Sequence, residues 1–339
     1  MIEVDGSFGE GGGQILRTSL ALSTVTKKPC YIFDIRKNRP KPGLKTQHLF
    51  GLKALVNLYN GRAEGDFLGS REVKFWPDEI TSKKLRIKIT TAGSITLLLQ
   101  TLVLPSLFAG SPVKICFEGG ATDTFFSPTI DHFRYVFLET VQKLGVNIKM
   151  NIKKRGYYPE GGAEVETEIF PSRLKSVTLL DRGKLQRILI FSGASELLKG
   201  KKVAERQISG TREILGKLNL PAEEKIDYYN TDCPGSNICL VAQFENAIIG
   251  VDNLGKLGKR AEDVGKEAAL ELLKEEKSQA CLDKHSADQI LLYLALARGK
   301  SSISVSEITN HCKTSIWVIE KFLDGKFKIK ENLITWKSS

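Results

Sequence analysis

The chain holds four histidines, and imidazole is the side chain that is both neutral and nucleophilic near neutral pH. His311 stands in Thr309-Asn-His-Cys-Lys-Thr-Ser, just before a segment where Ile316, Ile319 and Phe322 repeat at helical spacing. It lies off that apolar stripe, facing a helix N-terminus, where phosphates collect and the dipole keeps the ring neutral. Such a ring can attack phosphorus. His285 lies in Asp283-Lys-His-Ser-Ala-Asp-Gln289, also at a helix start, with Asp288 and Gln289 in the first turn to receive a metal-bound or hydroxyl-bearing ligand. His48 follows Gln47 behind a loop in which Arg36, Lys37, Arg39 and Lys41 are stiffened by Pro40 and Pro42, an arrangement suited to phosphates. His132, among Ile130, Phe133, Val136 and Phe137, reads as a helix-surface or packing residue.

The opening residues offer a second site of chemistry. Met1 to Asp5 reads as a short strand, and a turn with glycines at 6, 9, 11, 12 and 13 leads into an apolar helix from Ile15. Glycines there let backbone N–H groups approach a ligand at the helix start. Glu10 and Arg17 bracket the turn, the pair needed to hold a phosphate beside a metal or a base. The motif is neither a Walker A loop nor the GxGxxG fingerprint.

Three copies of one unit supply the elements that must position these residues. Each has a small-residue turn, an apolar helix, a strand, a second helix and then extended sequence. The first helices are expected at Gln14–Ser23, Ile95–Phe108 and Ala287–Ala297, and each carries a glutamine in or near its first turns: Gln14, Gln100 and Gln289. The second helices are expected at about Leu44–Leu58, Ile130–Leu144 and Thr314–Leu323. Between the second and third copies the pattern changes to strands Leu185–Ser192, Ile226–Tyr229 and Ile238–Phe244 with helices Val203–Leu218 and Arg260–Lys277. This predicts a large α/β domain over 1–182 and 280–339 and a small inserted α/β domain over 183–279. The insert carries no candidate nucleophile or metal cluster and is expected to stand outside the site built from the two ends of the chain, with Lys199, Lys201 and Lys202 on its surface.

Composition sets the outer bounds. A net charge of +11 over 339 residues favours a polyanionic partner. Six cysteines show neither a CxxC pair nor zinc-ligand spacing and read as free thiols of a cytoplasmic protein. The longest apolar run, Ile95–Phe108, is interrupted by Gln100 and Pro105 and is too short to span a bilayer, so no membrane partner is expected. The tail from Val305 to Phe322, followed by a hairpin, permits a competing winged-helix nucleic-acid-binding reading. Its supposed recognition helix, however, exposes few cations beside Trp317.

Several long motifs together resemble the RNA 3′-terminal phosphate cyclase family. They are Gly9-Glu-Gly-Gly-Gly-Gln-Ile-Leu-Arg17, Arg36…Arg39-Pro-Lys-Pro-Gly…Gln47-His48, Ala92-Gly-Ser…Gln100, Arg155-Gly-Tyr-Tyr-Pro159, Ala287-Asp-Gln289 and His311…Glu320-Lys-Phe-Leu323. The resemblance covers essentially the whole chain, is of the archaeal type, and implies three βαβαββ units like those of enolpyruvyl transferases plus one inserted domain. It also implies a three-step reaction. A histidine, here His311, takes AMP from ATP with Mg2+ or Mn2+ and passes it to an RNA 3′-phosphate. The vicinal 2′-OH then displaces AMP to leave a 2′,3′-cyclic phosphate. Glu10 (also the metal contact), Gln100, His285, Asp288 and Gln289 match nucleotide positions, and Arg17, Arg36, Arg39 and Gln47 match positions near the RNA end. A homodimer is left open. A non-catalytic branch works in ribosome assembly without the nucleophilic histidine, and His311 argues against it. Two departures from the family pattern, Ala163 for a glycine and the Phe125-Phe126 pair, concern local loop shape.

Overall fold

Short β-branched and aromatic runs alternate with apolar helices through most of the chain, and the computed structural model shows how they pair; it describes residues 1–80, 83–216 and 221–338. The first unit comprises β1 (Ile2–Asp5), α1 (Gly13–Thr26), β2 (Cys30–Phe33), α2 (Thr46–Tyr59), β3 (Arg62–Glu64) and β4 (Val73–Trp76). Its strands lie in the order β1-β2-β4-β3, with β1 and β2 parallel and the other pairs antiparallel. The second unit repeats this with β5 (Lys84–Ser94), α3 (Ile95–Ser106), β6 (Val113–Ala121), α4 (Ile130–His132), a π-turn (Phe133–Phe137), α5 (Leu138–Gln142), β7 (Asn147–Lys154) and β8 (Glu164–Phe170). The order is β5-β6-β8-β7, with the same directions.

The third unit is split. Its first strand is β9 (Thr178–Leu179), and β10 (Leu185–Ser195), a 3-10 turn (Glu196–Lys201), α6 (Val203–Leu215), β11 (Ala222–Tyr229), β12 (Ser236–Phe244), β13 (Ile248–Leu254) and α7 (Ala261–Lys277) intervene. The unit then resumes with α8 (Lys284–Leu296), β14 (Ser301–Ser304), α9 (Asn310–Phe322), β15 (Gly325–Lys330) and β16 (Leu333–Ser338). β9 pairs parallel with β14, and the sheet order β9-β14-β16-β15 matches the other two. The fold is thus mixed α/β, with the βαβαββ unit present three times. A two-residue β9 carries too little periodicity to be read from sequence. Its pairing makes β14 an interior strand of a sheet, a role that a winged-helix tail does not provide.

The intervening strands form a fourth sheet, β11-β10-β12-β13, packed on α6 and α7. These two helices approach so closely that a Cβ at Gly210 or Gly265 would fall 1.9 Å from a backbone oxygen of the other helix. β13 was not expected from the sequence. The helix expected over Val203–Leu218 ends at Leu215, and positions 217–218 lie outside the described residues.

Local chemistry sets the helix starts that matter for the site. Ser94, Asp283 and Thr309 cap α3, α8 and α9 with side-chain oxygens, whereas α1 begins from Gly12 in extended backbone after Gly9 and Gly11 at positive φ. The Thr309 cap starts α9 at Asn310, which puts His311 inside the first turn and not ahead of it. α1, α3 and α8 bring their glutamines together: Gln100 Nε2 donates to Gln289 Oε1 at 2.8 Å, and all three glutamines line one small cavity of about 40 Å³.

Candidate active site

His311 is fixed by a residue from the other end of the chain. Gln14, in the first turn of α1, donates through Nε2 to the His311 carbonyl at 3.0 Å, to Asp288 Oδ2 at 3.1 Å and to Ser315 Oγ at 2.5 Å. Three acceptors around one amide nitrogen set the amide orientation, so Oε1 faces His311 Nδ1, with which it is in contact. An amide oxygen only accepts, so the proton sits on Nδ1 and Nε2 keeps its lone pair. Burial, with Arg17 and Arg39 nearby, holds the His311 pKa below its usual value although Glu10 opposes this, and the ring is neutral at neutral pH. Gln14 was noted in sequence only as one of three recurring glutamines, and its orienting role needed the fold.

The charged side of His311 is built from the two motifs nearest the N-terminus. Glu10 Oε2 lies 3.2 Å from His311 Nε2 and 3.3 Å from an Arg39 guanidinium nitrogen. Arg17 lies one turn into α1. Burial lowers its pKa to about 10 against the opposing effect of Asp288. Asp288 in turn is raised to about 7 by burial, with Arg17 opposing. Gln47 stands in the first turn of α2, part-buried. Arg36 is turned into its own loop, donating to the carbonyls of Lys41 at 2.6 Å and Gly43 at 3.4 Å. In this arrangement it shapes the loop that presents Arg39. His48 is buried under the glycine turn, where a Cβ on Gly13 would lie 2.1 Å from its Nε2. Its Nδ1 accepts from Lys45 N–H at 3.2 Å, and its pKa falls to about 3, chiefly through burial.

The other side of His311 opens on a cavity of about 460 Å³ that also reaches Arg17, Gln100, His285, Asp288 and Gln289. Gln289 Nε2 donates to the His285 carbonyl at 2.8 Å, so the Gln100–Gln289 pair forms part of its floor. Two expectations fail here. His132 is not a helix-surface residue: it is 1 % exposed, borders the cavity just before the π-turn, and among the described residues has no hydrogen-bond partner at either ring nitrogen. Nor does segment 183–279 stand outside, because Asp252, Asn253 and Leu254 of β13 wall the same cavity. Asp252 Oδ2 accepts from Thr129 N–H at 2.6 Å, and Asp283, the α8 cap, accepts from Gly250 N–H at 3.2 Å. A deeper joint ties Asn237 to Asp131 (2.8 Å) and to the Tyr157 hydroxyl (2.7 Å). The Cys233–Ser236 turn packs on Tyr157, and Cys233 Sγ lies 3.3 Å from the Tyr157 carbonyl. Phe126, at the cavity mouth, takes positive φ (63°) and is fully exposed.

The two chain ends that meet at His311 also fall within one family match. A family model described as RNA 3′-terminal phosphate cyclase covers residues 8–329. The chain belongs to that family. Among similar curated proteins, one named RNA 3′-terminal phosphate cyclase from Saccharolobus islandicus is 46% identical over 331 residues, covering 97% of this chain and 96% of that protein. Another of that name, from Pyrococcus abyssi, is 44% identical over 330 residues, covering 97% and 95%. The enolpyruvyl transferase NikO of Streptomyces tendae aligns at 10% identity and a TM-score of 0.24, over 99% of this chain and 81% of that one. So low a score decides nothing about the fold, which rests on the strand pairing. Among the described residues no helix is long and apolar enough to cross a membrane, and all six cysteines are free thiols.

No group of three His, Cys, Asp or Glu side chains gathers among the described residues. Glu10 is the carboxylate at His311 Nε2, 38% exposed and therefore accessible. One carboxylate suits magnesium or manganese held mainly by substrate phosphates and water, and not a cation caged by protein.

Proposed function

We propose that this protein converts an RNA 3′-terminal phosphate to a 2′,3′-cyclic phosphate at the expense of ATP, through a covalent AMP on His311. The observation that carries this reading is the Gln14 amide, which keeps the proton on Nδ1 and aims the Nε2 lone pair at the side where Glu10 and Arg39 gather.

Nε2 attacks the α-phosphorus of ATP and the bond to the bridging oxygen breaks, so pyrophosphate leaves with the electron pair. The Nδ1 proton stays on Nδ1, donated to the Gln14 oxygen. An oxygen of the RNA 3′-phosphate then attacks the adenylate phosphorus, the N–P bond breaks, and His311 returns neutral. The RNA 2′-OH attacks its own 3′-phosphorus, AMP departs with the P–O electron pair, and the hydroxyl proton passes to solvent. Arg39 and Arg17 neutralise phosphate charge through these steps. Glu10 would hold the divalent cation, which when bound supplies Lewis-acid neutralisation of phosphate oxygens.

The adenosine fits the cavity bordered by His285, Pro128 and His132. Residues 1–182 with 280–339 form the catalytic body, and 183–279 is an insert that completes the adenosine wall. Free thiols suit work in a reducing cytosol. ATP consumption should require a 3′-phosphate on the RNA and should leave an end resistant to phosphatase. Equal ATP turnover with 3′-OH and 3′-phosphate oligonucleotides would exclude cyclisation.

A further inference from the structure

An aromatic pile stands beside the charged side of the site, and the reaction described above does not use it. Phe8 and Trp317 stack face to face with centroids 4.0 Å apart and planes 7° from parallel. The Lys321 ammonium lies 4.6 Å from the Trp317 ring centre. Phe8 remains 38% exposed although it lies only two residues before Glu10. Trp317 sits on α9 six residues beyond His311, about 9 Å of helical rise. It is only part-buried, at the edge of a helix whose buried face is Cys312, Ser315, Val318, Ile319 and Phe322.

The surroundings are cationic. Asn38 Nδ2 donates to the Ser7 carbonyl at 3.2 Å, which places the Arg36–Lys41 loop against the turn that carries Phe8. Lys37 and Lys41 on that loop are exposed, as are Lys313 and Lys321 on α9. Flat ring area flanked by cations, one nucleotide's reach from a phosphate-handling site, matches single-stranded nucleic acid, whose bases stack on aromatics while its backbone meets positive charge. A peptide would find no row of backbone donors or acceptors on such a pile.

We infer that the Phe8–Trp317 pile is the platform on which the base preceding the 3′-terminal nucleotide of the RNA stacks. The inference rests on the proposed reaction of that RNA end at His311. Stacking is tolerant of base identity, so the platform holds register without demanding a sequence, and the connecting phosphate falls to the Arg39 loop.

The test uses the full-length protein and short RNA 3′-phosphate oligonucleotides with either an intact or an abasic penultimate nucleotide. The abasic substrate should raise the KM of cyclisation about tenfold in the wild type, the worth of one stacked base. Phe8→Ala should raise the KM for the intact RNA by a similar factor and erase the difference between the two RNAs. Phe8→Leu, which keeps an apolar contact with Trp317, should do the same if the turn needs that contact to fold. Adenylation from ATP alone should hold in both variants. Equal KM values for the two RNAs in the wild type would overturn the platform. So would a Phe8→Ala protein that still discriminates between them, or one that loses adenylation and cyclisation in parallel, since Phe8 would then merely shape the turn. Binding is read separately from tryptophan quenching by a 3′-hydroxyl oligonucleotide, greater for the intact than for the abasic strand and lost in Trp317→Phe. That quench should appear even if no cyclic end forms, which separates a failed reaction assignment from a failed platform. Its absence in the wild type would count against the platform.

Discussion

The two sides of His311 are made in different ways. On one side Glu10, Arg17 and Arg39 come from two short motifs within the first forty residues, and the charges that would handle phosphate lie at the ends of glycine- and proline-shaped loops. On the other, the cavity is walled by residues near 128–132, by β13 and by the start of α8, which meet only once three sheets and an insertion have folded. Charge chemistry is therefore written locally, whereas the cavity beside it is a product of topology.

If that contrast is right, removing the distant wall should be as damaging as removing a local charge. Replacing residues 184–277 with a flexible linker takes away Asp252, Asn253 and Leu254 together with the Asn237–Asp131 joint. A folded deletion protein should lose adenylation. One that adenylates normally would return the insert to the outside position first read from sequence.

Gln14→Leu should lower the adenylation rate by about 10²-fold, the usual cost of a misoriented reacting group, while leaving Glu10 and Arg39 in place. Single-turnover labelling with ATP measures it, and a wild-type rate would show that the Nδ1 contact does not orient the ring. His132→Phe should raise thermal stability, because two buried ring nitrogens with no hydrogen-bond partner among the described residues disappear. A melting curve reads it. A lower melting temperature would mean that the imidazole is paired in solution.

The pH dependence of stability reports on Asp288. Asp288 holds its proton up to about 7, against 3.8 for an ordinary aspartate, so the folded state binds a proton that the unfolded state has released. Its contribution to stability is therefore lost as pH rises between those values. Asp288→Asn should melt close to wild type at about pH 4 and above it at about pH 8. A gap that narrows with rising pH would mean the carboxyl is already ionised in the fold.

Much of this was legible in the sequence, for identifiable reasons. Three helices with Ile, Leu and Val on their buried faces gave the repeat, and the glycine turn, the Arg36–Lys41 loop and the capped starts of α8 and α9 gave the charged groups. The first strand of the third unit was not legible, because two residues show no period and its partner lies more than a hundred residues away. Gln14 was seen only as part of a recurrence, since an amide carries no signature of what it orients. His132 read as packing because its neighbours are Ile130, Phe133, Val136 and Phe137, and only the fold shows a cavity against its ring. The insert's Lys/Glu helices advertised a solvated surface and said nothing of β13, whose far end closes the site.

A covalent AMP on His311 is read by incubating the protein with α-labelled ATP and a divalent cation in the absence of RNA. The label should be stable in base, released by acid, and absent from His311→Ala. Wild-type labelling of His311→Ala would contradict that assignment.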